Sequence, residues 1–352
     1  MKHTWKKLAT LLLVLTMALG MAGCGNSAGN GADNSDPDGS ESGGEEFRIG
    51  LSSSFTGSTA QEGIEAKNAV EMALTYINGE GGFNGIPGVL ATTYDNKGSP
   101  EEAVKAAQKL IQNENVDAVI GSNSSAEMLA SGQYFEEAGV FTIGMGTSAT
   151  WMQQGWEHVI RCSVNYDFVA EELIKMIHEM GITDVAIMKD QQEAGLSFAE
   201  AFEALAEEYD VNIVGSESWE IHDTDLSAQC ARILATNPQA ILISMTSNDC
   251  GYFVKQIRQY GYTGLLFDKE SFYASLVEIA GTDNADYILF ANPYVTYNDI
   301  SECDINYMRE FLERYQDTYG ELPSTEIGYR AWDAMMVIWE ATKLAGSNDT
   351  DD

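Results

Sequence analysis

From Glu46 onward, short apolar runs of strand length alternate with longer stretches of helical period, and few folds accommodate that alternation. Phe47-Arg48-Ile49-Gly50-Leu51 reads as a first strand. Gln61–Asn78 reads as a helix, with Ala66, Ala69, Val70, Ala73, Leu74 and Ile77 on one face and the glycines of Gly79-Glu80-Gly81-Gly82 as its stop. Val89–Tyr94 is a second strand, and Ser99-Pro100-Glu101-Glu102 opens a helix to Asn113, because serine, proline and early acids suit a helix N-terminus. Val116–Ile120 and Val140–Ile143 are strands flanking a helix over Ser125–Ala138. A second series is counted from His158–Cys162. Its further strands are Val185–Met188, Val211–Val214, Ala240–Ser244, Leu265–Phe267 and Tyr287–Ala291. Its helices are Tyr166–Met180, Leu196–Glu208, Leu226–Ala235, Cys250–Tyr260 and Phe272–Ala280. Two more helices, Asp304–Tyr319 and Thr325–Leu344, run on almost without strands.

Strict strand–helix alternation means parallel sheets covered on both faces, hence an α/β chain. Roughly 300 residues exceed one core of ordinary size, so two doubly wound lobes are expected. We place lobe 1 at residues 46–163, lobe 2 at 164–291, helices returning to lobe 1 at 292–346 and a polar tail at 347–352.

The segment before Glu46 has a different character. Lys2, His3, Lys6 and Lys7 precede the apolar run Leu8–Leu19, which ends in Met21-Ala22-Gly23-Cys24. A basic head, an apolar run of about 12 residues and small residues before a cut site predict a secretory signal over residues 1–23, too short to span a bilayer. Met21-Ala22-Gly23-Cys24 resembles the bacterial lipobox, which implies a lipid on Cys24 and an extracytoplasmic protein anchored to the cell membrane. Residues 24–45, rich in Gly, Ser, Asn and Asp, are expected to be a disordered tether.

A formal net charge of −35 argues against nucleic acid as a partner. Beyond Cys24 the cysteines are Cys162, Cys230, Cys250 and Cys303, none at metal-ligand or CxxC spacing, and the His residues are scattered, so no metal site is expected. A nucleophile needs a base within reach, and the chain has no G-x-S-x-G, H-E-x-x-H or paired Cys–His motif. His158, His178 and His222 read as structural or surface residues. Gly144-Met145-Gly146-Thr147-Ser148-Ala149 fits G-x-G-x-x-A but follows the fourth strand and precedes a poor helix start, so no nucleotide cofactor is expected. No catalytic residue is assigned.

In open α/β sheets ligands sit beyond the carboxyl ends of the strands. There the chain offers Ser52–Gly63 after the first strand, Gly121-Ser122-Asn123-Ser124-Ser125 after the third and Gly144–Thr150 after the fourth. All are crowded with hydroxyls, glycines and backbone amides. Ser125 stands where a helix begins, so its hydroxyl and the neighbouring amides suit a carboxylate, although an isolated serine there is equally an N-cap.

Several segments carry a resemblance. Ile49–Ser54, Thr56-Gly57 and Ala73-Leu74-Thr75-Tyr76-Ile77-Asn78-Gly79-Glu80-Gly81-Gly82-Phe83-Asn84-Gly85 resemble the start of the leucine/isoleucine/valine-binding protein family. So do Val119–Ser125, Glu136–Val140, Gln256–Gly261 and Ile279-Ala280-Gly281, in order and spacing over about Glu46 to Leu344. The resemblance implies the type I periplasmic-binding fold, two lobes joined by hinge crossovers that close on a small ligand delivered to an ABC permease. It implies that Ser125 and Ser148, with the Gly146 backbone and Thr147 beside it, hold a ligand α-carboxylate. Elsewhere the pocket departs from the family. Glu62 and Ala194 stand where aromatic residues are usual, Thr246 falls at the second-lobe aromatic, and Lys269 falls where an acid normally pairs with the α-ammonium, with Glu270 next to it. The family also continues beyond the helix matching Thr325–Leu344, in an extension that completes its second lobe, whereas Gly346–Asp352 is polar. The expected ligand is an amino acid; amides, urea-like solutes and aromatic acids compete with it. A ligand-sensing module for a receptor kinase and a hydrolase of amides or small acids on the same fold are the alternatives from other classes.

Overall fold

The computed structural model describes residues 45–113, 115–220, 223–245, 250–269, 274–291, 295 and 297–349. The signal segment, Cys24, the tether up to residue 44, Thr246, Glu270 and His222 lie outside the described residues.

The first sheet is built by β1 (Phe47–Ser53), α1 (Ala60–Gly79), β2 (Gly88–Asp95), α2 (Pro100–Asn113), β3 (Ala118–Ile120), α3 (Ser125–Ala138), β4 (Phe141–Gly144) and β5 (Val159–Arg161), with a 3₁₀ turn over Thr150–Gln154. Its five strands run parallel in the order β2-β1-β3-β4-β5. Period-two alternation decides which face each side chain serves. Ile49 and Leu51 of β1 and Ala118 and Ile120 of β3 pack under α1, while Val119 turns the other way onto Ala107 and Leu110 of α2 and Met128 and Phe135 of α3. β5 joins this sheet beside β4, and so does not open the second series as the strand count from His158 had it. The apolar Val159 and Ile160 pack onto first-sheet cores, and Val159 pairs with Thr142.

The second sheet follows with α4 (Tyr166–Glu179), β6 (Asp184–Asp190), α5 (Glu193–Leu205), β7 (Asn212–Trp219), α6 (Ser227–Ala235), β8 (Ala240–Ser244), α7 (Cys250–Gln259), β9 (Leu265–Asp268), α8 (Ala274–Ala280) and β10 (Ile288–Phe290). Its order, β10-β9-β8-β6-β7, repeats the winding of the first. Val185 and Ile187 face α4 and α5, whereas Ala186 and Met188 face α6 and α7.

Two boundaries differ from the sequence reading in ways that matter. β7 runs on to Trp219, beyond Val214, because its polar Ser216 and Ser218 lie on an edge strand that pairs only with β6. α5 begins at Glu193, three residues before Leu196, which turns Ala194 and Gly195 from loop into helix. The buried Gly195 permits this: a Cβ there would lie 2.1 Å from Asp190 Oδ1 and 2.8 Å from the Ser244 carbonyl oxygen.

α9 (Asn306–Tyr319) and α10 (Ile327–Ala345) pack back on α1. Phe311, Tyr315, Trp332, Met335 and Ile338 join the core shared by α1 and the first sheet. Full burial of each such side chain contributes roughly 1.5–3 kcal/mol. Asn68 Nδ2 donates to Tyr315 Oη (3.1 Å), and Trp339 Nε1 donates to the Gly82 carbonyl (3.0 Å).

Candidate functional site

With β1 between β2 and β3, the first sheet reverses winding direction at β1, and a crevice opens there beyond the strand ends. Three loops meet at that edge. The loop after β1 is pinned by Asp95, whose carboxylate accepts from the Phe55 amide (2.9 Å) and Thr56 Oγ1 (2.7 Å). The loop after β3 is held from below by a buried polar cluster. Ser54 Oγ donates to Asn96 Oδ1 (2.9 Å), Asn96 Nδ2 to Ser122 Oγ (3.3 Å), and Ser122 Oγ to the Glu127 carboxyl on α3.

α3 starts directly above this cluster. The N-cap is Ser124, in extended conformation and without a side-chain cap bond; Ser125 is the first helical residue. The capping role weighed for Ser125 therefore belongs to its neighbour's position. Ser125 instead joins two loops: its buried Oγ accepts the Ser148 amide (3.0 Å), which leaves its own O–H to donate. Gly146 lies against it, so close that a Cβ would come within 2.8 Å of Ser125 N and Cα. The first-turn amides of a helix have no carbonyl partner within it and carry the positive end of its dipole. Ser125, Gly146 and Ser148 thus form one small, buried, donor-rich surface, chemistry that fits a carboxylate.

The third loop is fixed from the crossover. Arg161 Nη1 donates to the carbonyls of Thr147 (3.3 Å) and Ser148 (3.1 Å), Ser163 Oγ to that of Gly146 (2.7 Å), and the Tyr166 amide to that of Thr147 (3.3 Å). Thr147 is buried and meets these partners through its backbone. From α10, Arg330 Nη1 reaches the Met145 carbonyl (3.2 Å). These straps on the loop's carbonyls come from the end of β5, from the polypeptide that follows it and from the returning helix.

The second sheet faces the same crevice with its own strand ends. Ser148 Oγ donates to Glu193 Oε1 across it (3.3 Å), a contact the sequence did not announce. An acid in the first turn of a helix is ordinary, and only the fold shows where this one reaches. Asp190 and Ser244 are buried beside Gly195, whose carbonyl accepts from Ser244 Oγ (2.6 Å). Ala194 is half-buried against the apolar cluster under α4 and α5. Lys269 is 1 % exposed; its Nζ donates to Tyr166 Oη (3.4 Å) and lies 4.7 Å from that ring's centroid. Glu62 stays on the first-sheet side, where Asn123 Nδ2 donates to it and Ser53 Oγ donates to Asn123 (3.3 Å).

Burial lifts the Glu127 carboxyl to about 7, against hydrogen bonding from Ser122, Asn96 and Ser124 and with the Asp95 charge adding to the rise. A carboxyl raised above its ordinary 4.5 binds its proton more tightly in the folded chain than in the unfolded one. Its contribution is full below about pH 4.5 and is lost as pH rises through about 7, on the order of 3 kcal/mol. Glu127→Gln, which cannot ionise, should remove that loss. Urea unfolding of both chains at about pH 5 and about pH 7.5 reads the difference, and an identical pH dependence in the two would refute this account.

Comparison with known proteins agrees with this architecture. Residues 46–352 match the family model described as periplasmic binding protein. The Leu/Ile/Val-binding protein homolog 7 of Brucella abortus is 26% identical over 313 residues, which cover 84% of this chain and 76% of that one. The leucine binding protein LivK of Thermotoga maritima superposes with a TM-score of 0.75 at 24% identity, over 87% of this chain and 85% of that one. The branched-chain amino acid transporter substrate binding protein LivJ of Streptococcus pneumoniae, solved with isoleucine, gives 0.74 at 23% identity over 87% and 86%. By the match over nearly all of its folded part, the chain belongs to the periplasmic binding protein family, the family that contains the leucine/isoleucine/valine-binding proteins.

Proposed function

We propose that this chain is the solute-capturing subunit of an ABC importer, that it closes its two lobes on a small carboxylate-bearing solute, and that the solute is an amino acid. The lobes are residues 46–163 and 164–291, with 292–346 returning to the first. The observation that carries the reading is the joined surface of Ser125, Gly146 and Ser148 at the start of α3. Relatives named as Leu/Ile/Val-binding proteins and a neighbour holding isoleucine support the amino acid. A lipid on Cys24 would hold the protein outside the cell at the membrane, where the closed form meets the permease.

Binding and closure are one equilibrium. A ligand shifts the lobes only as far as it binds the closed form better than the open one. Here the first-lobe surface is braced in advance, so the solute docks on it and the second lobe supplies the additional contacts. Ser125→Ala removes a buried hydroxyl that both accepts the Ser148 amide and faces the ligand, and should weaken binding by about 1–3 kcal/mol. Calorimetry with the amino acid that raises the melting temperature most gives the number; unchanged affinity would remove Ser125 from the site.

A further inference from the structure

We propose that Glu193 is the specificity residue of this cleft: its carboxylate takes the ammonium of a zwitterionic ligand whose carboxylate rests on Ser125 and Ser148. The inference rests on the solute-capture reading above and names the chemistry that the cleft selects.

The geometry is direct. Glu193 Oε1 lies 3.3 Å from Ser148 Oγ, across the crevice and within one hydrogen bond of the carboxylate surface. An anion that docks on that surface meets a second carboxylate at close range. Two like charges so placed repel unless a cation stands between them. An α-amino acid brings that cation itself, because its ammonium and its carboxylate are carried by one carbon atom. A simple carboxylic acid of the same shape brings none and leaves Glu193 facing its charge. The same side chain therefore attracts one class and rejects the other, the two components of specificity.

Among the described residues, Glu193 is the acid whose hydrogen bond reaches this surface. Arg161 spends Nη1 on the carbonyls of Thr147 and Ser148. Lys269, at the position where the sequence resemblance puts an acid, carries the wrong sign for an ammonium, and its own ammonium is buried against the Tyr166 ring. Glu62 is held by Asn123. The acid that the resemblance places at Lys269 is thus supplied from α5, three strand–helix connections earlier in the second lobe. Gly195 fixes the placement, since its close approach to Asp190 and Ser244 anchors the first turn of α5 that bears Glu193.

Calorimetry of the purified chain tests this with common L-amino acids, each paired with the acid that lacks only the amino group, such as L-leucine with isocaproate. The native chain should bind its best amino acid at least about 100-fold tighter than the deaminated partner, and Glu193→Gln should cut that preference roughly 30-fold without weakening the deaminated acid. Glu193→Asp, which keeps the charge, should restore part of the preference. An unchanged preference in Glu193→Gln overturns the proposal, as does equal loss of both ligands in a variant that melts like the native chain. Should only deaminated acids bind, the proposal falls and solute capture stands. Should neither class bind, the carboxylate-capture reading falls and the proposal with it.

Discussion

Glu65→Ala is expected to destabilise this chain by roughly 2–4 kcal/mol, enough to consume a large part of an ordinary folding free energy. Glu65 sits on α1 and is 1 % exposed. Its Oε1 accepts from the Ser324 amide (2.8 Å) and Ser324 Oγ (2.6 Å), and its Oε2 from the Thr325 amide (2.9 Å) and Thr325 Oγ1 (2.6 Å). Gln61 Nε2 adds a further donor to Oε1 (3.0 Å). This one carboxylate thus serves as acceptor for the chain that leads into α10. Alanine leaves the buried Thr325 amide without an acceptor, at about 1–3 kcal/mol for an orphaned buried donor, and the other bonds to the carboxylate are lost with it. The hydroxyls and the amide of the exposed Ser324 can turn to water; the Thr325 amide cannot. Glu65→Gln should recover only part, because its NH₂ would face donors in place of one oxygen. Urea unfolding measures the loss, and a cost below about 1 kcal/mol would mean that the clamp is not what docks α10. Since Arg330 of α10 also braces the Met145 carbonyl, the alanine variant should bind ligand more weakly as well.

The lobes were legible because each core strand is apolar on both faces and each helix on one, which is a pattern local to the chain. Ala240–Ser244 and Ser125–Ala138 appear in the structure with the bounds their sequence predicts. Edges were harder. β7 carries polar residues where it lacks a second neighbour, so its apolar signal stops before the hydrogen bonding does. β5 has only three residues, and nothing in Val159-Ile160-Arg161 says which sheet they join. That choice depends on β4 presenting Thr142, Ile143 and Gly144 as partners.

The site divides along the same line. Ser125, Gly146 and Ser148 stand out as small residues, the two serines bearing hydroxyls, at strand ends where the sheet order makes a crevice. Their mutual contacts could not be read, since Ser125 and Ser148 meet only after two strands align. Glu65, Glu193 and Arg161 were missed for a related reason. Glu193 and Glu65 look like ordinary helix acids, and their partners are far along the chain or in the other lobe. Arg161 looks like the end of a short strand, and its use lies in two carbonyls. Glu62 was weighed for its type, and the structure gives it an amide partner, Asn123, on its own lobe.

Gly146→Ala should abolish useful ligand binding, lowering affinity at least about 100-fold, while costing only about 1–3 kcal/mol in stability. A Cβ at this position would stand 2.8 Å from Ser125 N and Cα and 2.9 Å from its Oγ, so either α3 or the loop must give way. α3 is poorly placed to retreat. Met128 fills the space beside Gly121 and Gly144, where a Cβ would meet its side chain at 2.7 Å in each case, and Phe135 is buried at the far end. The loop must therefore lift. It is strapped at its carbonyls by Ser163 and Arg161, so it rotates about those ties and draws the Ser148 amide away from Ser125 Oγ. The fold survives that motion; the donor-rich surface does not, because a carboxylate site depends on placement to a fraction of an ångström. Gly79→Ala is the matched control, since a Cβ at Gly79 meets nothing within 4 Å. Calorimetry and thermal melts of the two variants separate the effects: near-native binding by Gly146→Ala would show that the contact between the loop and the start of α3 is not where the ligand is held.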